Sequence, residues 1–264
     1  VALVTGGSKG VGRAVALGLG AAGFAVAILA RSGQPLEETR ALLDANGVPS
    51  AACVADVRDP DAVAVAVTEV TDKLGPISTV VNNAGTSLAI GPLWEADPGT
   101  WWTDVETSLG GAFNVCRSVI PGMIARRRGR ILNVSSYAGH RAAPYQSAYG
   151  CAKAGLASLT ESLAESLQPY DVRAFTITPG FVRTSLTAQL TESPQGQRWL
   201  PELRERDGLD PDLFVRLAVT VALGGADVLN GRFLHALDDV SELLRRFDEI
   251  DEQELYVPRL RRLR

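Results

Sequence analysis

A tyrosine and a lysine four residues apart, Tyr149 and Lys153 in SAYGCAKAG, follow a serine, Ser136, by thirteen residues. On a helix, residues four apart lie one turn apart on the same face, which sets a phenol beside an ammonium. An unperturbed tyrosine keeps its proton up to a pKa of about 10. A neighbouring positive charge favours the phenolate and brings that value down. A phenol tuned in this way serves as a general acid or base. Ser136 follows an expected strand over residues 130–135 and can bring its hydroxyl to the same place. Alone, a Tyr-x-x-x-Lys pair is a weak signal, because an ordinary surface helix carries it as well.

The elements that must hold this trio begin at the N-terminus, VALVTGGSKGVGRAVALGLGAAG. Residues 1–5 form an apolar, β-branched run that reads as a buried strand. Gly6, Gly7, Gly10 and Gly12 break it, with Ser8, Lys9 and Val11 between them, and Val15, Leu19 and Ala22 then continue at helical spacing. Strand, glycine turn and helix in succession let the backbone approach a ligand closely. They also turn the free N–H groups of a helix N-terminus toward phosphate. A tight turn between strand and helix is the plainer reading of the loop.

The same alternation runs on. Strands are expected at 26–30, 51–55, 77–82, 130–135, 172–178 and 232–237. Helices are expected at 36–45, 60–74, 98–127, 146–167 and 211–223. This pattern predicts an α/β fold: a single-domain, Rossmann-like, doubly wound parallel sheet flanked by helices on both faces. Thr5, Ala30, Asp56, Asn82, Ser135 and Thr178 all fall near strand carboxyl ends, where ligands of such sheets bind. The catalytic domain is expected over 1–237, and 238–264 reads as a helical, Arg-rich extension of it.

Taken with Asn82-Asn83-Ala84-Gly85, Ser136 and Tyr149/Lys153, the spacing from Thr5 to Gly12 resembles the short-chain dehydrogenase/reductase family in its compact single-domain branch. The resemblance runs from residue 1 to about 184, and more loosely to about 237. It implies hydride transfer between a nicotinamide cofactor and a small-molecule carbonyl or alcohol. Tyr149 would be the proton donor, Lys153 would lower its pKa and bind the nicotinamide ribose, and Ser136 would polarise the carbonyl. It further implies a cofactor site built from Gly6, Ser8, Lys9, Gly10, Val11 and Gly12 and from Asp56 and Val57 against the adenine. Asn83, Ala84 and Gly85 would lie beside the adenine ribose, and Pro179, Gly180, Val182 and Thr184 beside the nicotinamide. One position departs from the family. Ser108 stands where an Asn usually joins a water-linked proton relay to the lysine, which puts that path in doubt.

Charge suggests which cofactor. An NAD site of this architecture places an acid after the second strand, on the ribose 2′-hydroxyl. Here Ala30 and Arg31 stand there, and Lys9 lies in the glycine loop. Two cations suit a 2′-phosphate, so NADP(H) is expected, with NAD(H) as the alternative. Solvated surface charges are the plainer reading of both residues.

The remaining features set bounds. A net charge of −4 argues against a general nucleic-acid binder, and no apolar stretch is long enough for a membrane span. Cys53, Cys116 and Cys151 have no metal-ligand spacing, so no metal is expected; they read as reduced thiols of a cytoplasmic protein. No signal peptide is visible, and because the chain opens on Val1 a short leader ahead of it is expected. His140 and Arg141 read as a solvated loop or a substrate contact, and His235 as a packing residue. Trp94, Tyr145 and Trp199 are candidates for an apolar pocket wall, and Trp101 and Trp102 for structural roles. Residues 185–206 read as a flexible lid. The tail, with Val240, Leu243, Leu244 and Phe247 at helical spacing and an RLRRLR end, reads as a solvated extension, a subunit contact or a contact to an acidic ligand. The resemblance also implies a homodimer or homotetramer that pairs the helices of 98–127 and 146–167, with Gly110, Gly111, Ala112, Ala152, Ala154 and Gly155 allowing close approach. Two function classes stand: a carbonyl reductase or alcohol dehydrogenase, and a cofactor-binding sensor or scaffold with little or no turnover.

Overall fold

Seven strands form one all-parallel sheet in the computed structural model, which describes residues 1–259. They are β1 (Ala2–Thr5), β2 (Val26–Ala30), β3 (Ser50–Val54), β4 (Thr79–Asn82), β5 (Gly129–Val134), β6 (Val172–Thr178) and β7 (Phe233–His235). Their order across the sheet is β3-β2-β1-β4-β5-β6-β7. β1 pairs with β2 on one side (Leu3 opposite Ala27) and with β4 on the other (Leu3 opposite Val80). The direction of winding therefore reverses between β1 and β4, and it opens a crevice above their carboxyl ends. β1 and β4 are buried at every residue, as expected of strands covered on both faces.

Helices α1 (Gly10–Ala21), α2 (Gly33–Ala45), α3 (Pro60–Leu74), α4 (Pro98–Val105), α5 (Gly111–Ala125) and α6 (Ser147–Leu167) alternate with the strands. Two apolar layers follow. One joins Val15 and Leu19 of α1 to Leu36 and Leu43 of α2 and to Phe214 beyond. The other joins Val63 and Val70 of α3 to Val115 and Met123 of α5 and to Leu167 of α6.

The structure refines several expectations. The helix foreseen over 98–127 is interrupted by a π-helical turn, Glu106–Gly110, between α4 and α5. Such turns displace a helix face by one residue and are frequent at functional sites, and Ser108 lies within this one. Residues 185–206, foreseen as a flexible lid, form α7 (Ser185–Glu192), α8 (Pro194–Trp199) and a 3-10 turn, Pro201–Leu203. Thr184 caps α7 through a capping box with Thr187, and Ser193 caps α8. After α9 (Pro211–Ala222) and β7, the tail forms two short helices, α10 (Val240–Arg245) and α11 (Phe247–Glu252).

That tail packs on its own chain rather than extending into solvent. Leu243 and Ile250 join the first apolar layer. Tyr256 O accepts from Phe233 N at 2.7 Å, Arg232 pairs with Asp251 at 2.6 Å, and Arg259 reaches Glu161 on α6 at 2.6 Å. The tail thus covers the exposed edge of β7, which would otherwise offer unpaired N–H groups. The rest of the Arg-rich end, 260–264, lies outside the described residues. Of the small residues expected between subunits, Gly111, Ala112, Ala152 and Gly155 are spent inside the chain. Ala112 and Ala152 are buried, a Cβ on Gly111 would lie 2.5 Å from Val57, and one on Gly155 would lie 2.8 Å from Leu109.

Candidate active site

The glycine loop is held in place by residues distant in sequence. Arg13 on α1 donates to Ser8 O at 2.7 Å and to Thr39 Oγ1 on α2 at 2.8 Å. Asn83, just past β4, donates to Thr5 O at 3.0 Å and to Gly6 O at 3.3 Å, which ties the two sides of the crevice together. A side chain at position 12 has no room, since a Cβ there would lie 2.3 Å from Gly6 O and 2.4 Å from Asn83 Nδ2. The loop therefore reaches α1 with its backbone open to the crevice. The N-cap side chain, Lys9, makes no capping bond, which leaves the first-turn N–H groups of α1 free.

A cleft of about 260 Å³ follows from this arrangement. Gly6, Ser8, Lys9, Gly10, Val11 and Gly12 line one end, and Arg31, Asp56 and Val57 the flank. Asn83, Ala84 and Gly85 form the floor, and Tyr149, Lys153, Pro179 and Thr184 the far end. Gly180 and Val182, expected at that far end, do not line it. Gly180 faces the neighbouring cavity, and Val182 is buried with its carbonyl accepting from Thr187 Oγ1 at 3.0 Å. Thr86, Thr107, Ser185 and Leu186 also line the cleft. Sequence reasoning missed them because only the motif residues carried a signal. Free helix N–H groups at one end and cations at the flank form a donor set that fits a dinucleotide with its phosphates.

The two cations and the acid at the flank differ in their ties. Asp56 is held by Arg58, with contacts of 2.7 and 3.1 Å, and that hydrogen bonding keeps its carboxyl below the usual range. Arg31 and Lys9 make no side-chain hydrogen bond or ion pair among the described residues.

Ser136, Tyr149 and Lys153 converge at the carboxyl ends of β5 and β6. Ser135 Oγ donates to Lys153 O at 3.1 Å, pinning α6 to the end of β5. Trp101 Nε1 donates to Ser147 Oγ at 3.0 Å, and Gln146 Nε2 to Ser87 Oγ at 3.2 Å, which seat the start of α6. Ser136 Oγ accepts from Ala138 N at 3.2 Å, so its own hydrogen is free to be donated. Lys153 is 4% exposed; its Nζ donates to Val134 O at 2.7 Å and lies 5.4 Å from the centre of the Tyr149 ring.

The electrostatics reverse one expectation. Lys153 was expected to lower the Tyr149 pKa. Instead burial pushes the Tyr149 phenol up; the nearby Ser136 hydroxyl pulls it back, and the Asp104 carboxylate adds to the rise. Burial also brings Lys153 down to about 8. In the protein alone, loss of hydration is the largest influence on both groups, and it disfavours the charged form of each.

Two further residues matter here. Asp104 is fully buried and accepts from Leu88 N at 2.8 Å and Ala89 N at 2.9 Å, fixing the loop that follows the Asn83 turn. An acid within the apolar spacing of α4 was its only sequence signal. Ser108 Oγ is buried and makes no hydrogen bond among the described residues. A Cβ on Gly85 would lie 3.1 Å from it and 3.5 Å from Lys153 Nζ, so the serine hydroxyl and the ammonium flank the same small gap.

Beyond Tyr149 lies a second cavity, of about 300 Å³, with Ser136 and Tyr149 on one wall and Phe181, Leu190 and Leu200 on another. Tyr149 lines both spaces. His140 does not face either; its ring packs edge-on against Phe233 at 4.2 Å, and burial lowers its pKa. His235 packs against Tyr137 at 5.2 Å, in the structural role expected of it. Trp199 packs on Tyr145 at 4.8 Å and lines a third cavity, whereas Trp94 is 84% exposed and lines none of these three. Arg183 is committed to the main chain, donating to Arg206 O at 3.1 Å.

Comparison with known proteins agrees with this geometry. A family model described as short chain dehydrogenase matches residues 1–195. The chain belongs to the short-chain dehydrogenase/reductase family. It is 36% identical over 193 residues to the 3-oxoacyl-[acyl-carrier-protein] reductase FabG of Pseudomonas aeruginosa, covering 73% of this chain and 78% of that protein. Among solved structures, it resembles actinorhodin polyketide ketoreductase with NADPH (26% identity, TM-score 0.79, 89% of this chain and 94% of that one). It also resembles an NAD+-bound xylitol dehydrogenase (28% identity, TM-score 0.80, 89% and 96%). A short-chain dehydrogenase/reductase of this kind is an oxidoreductase using a nicotinamide cofactor, and these two neighbours, one with each cofactor, leave the choice between them open. Among the described residues, no helix is long and apolar enough to cross a membrane, and no cluster of side chains has the makings of a metal site.

Proposed function

We propose that this protein is an NADP(H)-dependent reductase that converts a ketone or 3-oxoacyl thioester to a secondary alcohol, or runs the reverse reaction. The observation that carries this reading is that Tyr149 lines both the cofactor cleft and the adjoining cavity. When bound, the nicotinamide supplies the hydride. The chain's own part is proton transfer and positioning. The Tyr149 hydroxyl, held in its protonated form, gives its proton to the carbonyl oxygen, and Ser136 donates a hydrogen bond to that same oxygen. Lys153 lies behind Tyr149, at the end of the cleft where the nicotinamide ribose would sit, with the Ser108 hydroxyl at hand for the proton path.

Support for NADP(H) comes from Arg31 and Lys9, which line the cleft without a partner among the described residues, and from Asp56, whose charge is offset by Arg58. A charge-assisted contact to a 2′-phosphate contributes about 1.5–3 kcal/mol, or roughly tenfold to a hundredfold in affinity. Reduced-nicotinamide consumption across an acyl thioester, a diketone, an aryl ketone and a steroid ketone should therefore show turnover with NADPH favoured over NADH. Arg31→Ser should raise the KM for NADPH about tenfold or more and leave that for NADH nearly unchanged. Equal use of both cofactors by the native enzyme would reject the NADP(H) assignment.

The reading extends to a homodimer or homotetramer in the cytoplasm. Phe113 on α5 (53% exposed) and Trp102 on α4 (56% exposed) leave large apolar surface on the helices expected to pair. The free cysteines Cys53, Cys116 and Cys151 suit a reducing compartment. Sedimentation equilibrium should find twice or four times the chain mass; a monomer at micromolar concentration would contradict it.

A further inference from the structure

The cavity beyond Tyr149 has apolar walls and a charged mouth. Arg141 follows the turn that carries Ser136, and its guanidinium lies 6.0 Å from the centre of the Tyr137 ring. Arg206 comes from the segment after α8, and its guanidinium lies 5.2 Å from the centre of the Phe181 ring. The main chain that presents Arg206 is gripped by Arg183, which donates to the carbonyls of residues 204 and 206. Neither Arg141 nor Arg206 donates a side-chain hydrogen bond or joins an ion pair among the described residues.

The one acid on the same lining is Glu202, which forms no ion pair among the described residues. His235 lies near Arg206; burial holds its pKa low, the Asp238 carboxylate pulls it part of the way back, and the Arg206 charge adds to the lowering. The mouth therefore carries two cations against one anion in a chain whose net charge is −4. A guanidinium lying near an aromatic ring keeps its in-plane N–H fork open to a carboxylate or phosphate. A purely apolar ketone would gain nothing from either arginine.

We infer that the substrate of this site is a ketone bearing an anionic group, which Arg141 and Arg206 hold at the cavity mouth while the carbonyl lies at Ser136 and Tyr149. The anion is either a carboxylate on the ketone's own skeleton or the phosphate of a thioester carrier; both present the same chemistry to the two forks. This inference rests on the reductase reading, since it assigns the cavity to the substrate.

The test compares matched probes. Acetoacetate is set against methyl acetoacetate, and acetoacetyl-CoA against the acetoacetyl thioester of N-acetylcysteamine, which lacks phosphate. Native enzyme should prefer at least one anionic probe over its neutral match by about tenfold or more in kcat/KM, with the difference in KM. Arg141→Gln and Arg206→Gln should each cut that preference several-fold, and raised ionic strength should erode it. Preference for acetoacetate locates the anion on the ketone; preference for the CoA ester alone locates it on the carrier. Neutral probes used as well as the anionic ones, or variants that slow both alike, would overturn the inference and leave the reductase reading intact. If no ketone is reduced, the reductase reading fails. Calorimetric titration of acetoacetate and of acetoacetyl-CoA into the native, NADPH-loaded protein and its Arg206→Gln variant then decides the anion site. Binding weakened by the variant upholds the site; no binding, or binding that the variant leaves unchanged, overturns it.

Discussion

Tyr149→Phe should lower kcat about a thousandfold, within the 10²–10⁴ range of a general acid, while NADPH binding changes by no more than a few-fold. Phenylalanine keeps the ring that lines both the cleft and the cavity, so packing changes little. What is lost is the proton. Ser136 cannot replace it, because an alcohol is too weak an acid to protonate the developing alkoxide and Ser136 is placed to donate a hydrogen bond. The raised Tyr149 pKa adds a direction to the prediction. A phenol that keeps its proton well past neutrality is ready for reduction, so the reduction rate should hold through the neutral range. Alcohol oxidation needs the phenolate and should climb as pH rises toward and beyond the ordinary phenol range. Steady-state rates in both directions across pH, with cofactor affinity measured separately, check this. A phenylalanine variant that keeps a tenth or more of the native kcat would remove Tyr149 from the chemistry.

Lys153→Met should make the protein more stable and nearly inactive. Lys153 is 4% exposed, and burial brings its pKa from 10.5 to about 8. At pH 7 the ammonium is still charged and still buried, which costs the fold on the order of 3 kcal/mol. Methionine removes that cost but strips Val134 O of the bond it accepts from Nζ, a loss of about 1 kcal/mol. The net gain is roughly 1–2 kcal/mol, against a fall in turnover of about a hundredfold or more.

The pH dependence separates this account from simple repacking. Between pH 8 and 10.5 the unfolded chain still holds the lysine proton that the folded chain has released, so this contribution to stability rises with pH. Below pH 8 the full penalty is present. Cys116 acts in the opposite sense. Burial pushes its thiol from 9.0 up to about 12, so above pH 9 the unfolded chain loses that proton first and stability falls. Both effects act in the native protein, while the methionine variant keeps only the second. The stability advantage of Lys153→Met, from denaturant midpoints, should therefore be largest at neutral pH and shrink as pH approaches about 10. A constant advantage, or a loss at every pH, would show that Lys153 is not the buried charge described.

Much of this protein is determined by short-range pattern. Apolar strands alternating with amphipathic helices leave a parallel sheet as the workable arrangement, and its ligands then fall at the carboxyl ends. Residues four apart on α6 share a face whatever surrounds them, so Tyr149 and Lys153 were neighbours from sequence alone. The glycine loop, the Asn83 turn and Ser136 were legible for the same reason, since each is a local backbone requirement or a residue type at a strand end. The tertiary structure decided what those residues experience. The direction of the Tyr149 and Lys153 pKa shifts came from burial, which depends on walls contributed by β5, α4 and the segment after β6. Arg183 and Arg206 are both arginines of one polar stretch in sequence terms, yet one grips main-chain carbonyls and the other lies over Phe181. Residues 185–206, read as a loop from their polar and turn-forming residues, fold into short helices that Thr184 and Ser193 cap, and the helical tail is held by the distant apolar partners of Leu243 and Ile250. Spacing along a chain sets the direction in which a side chain points. Its dielectric surroundings and its partners come from residues far away in sequence, and no local pattern encodes them.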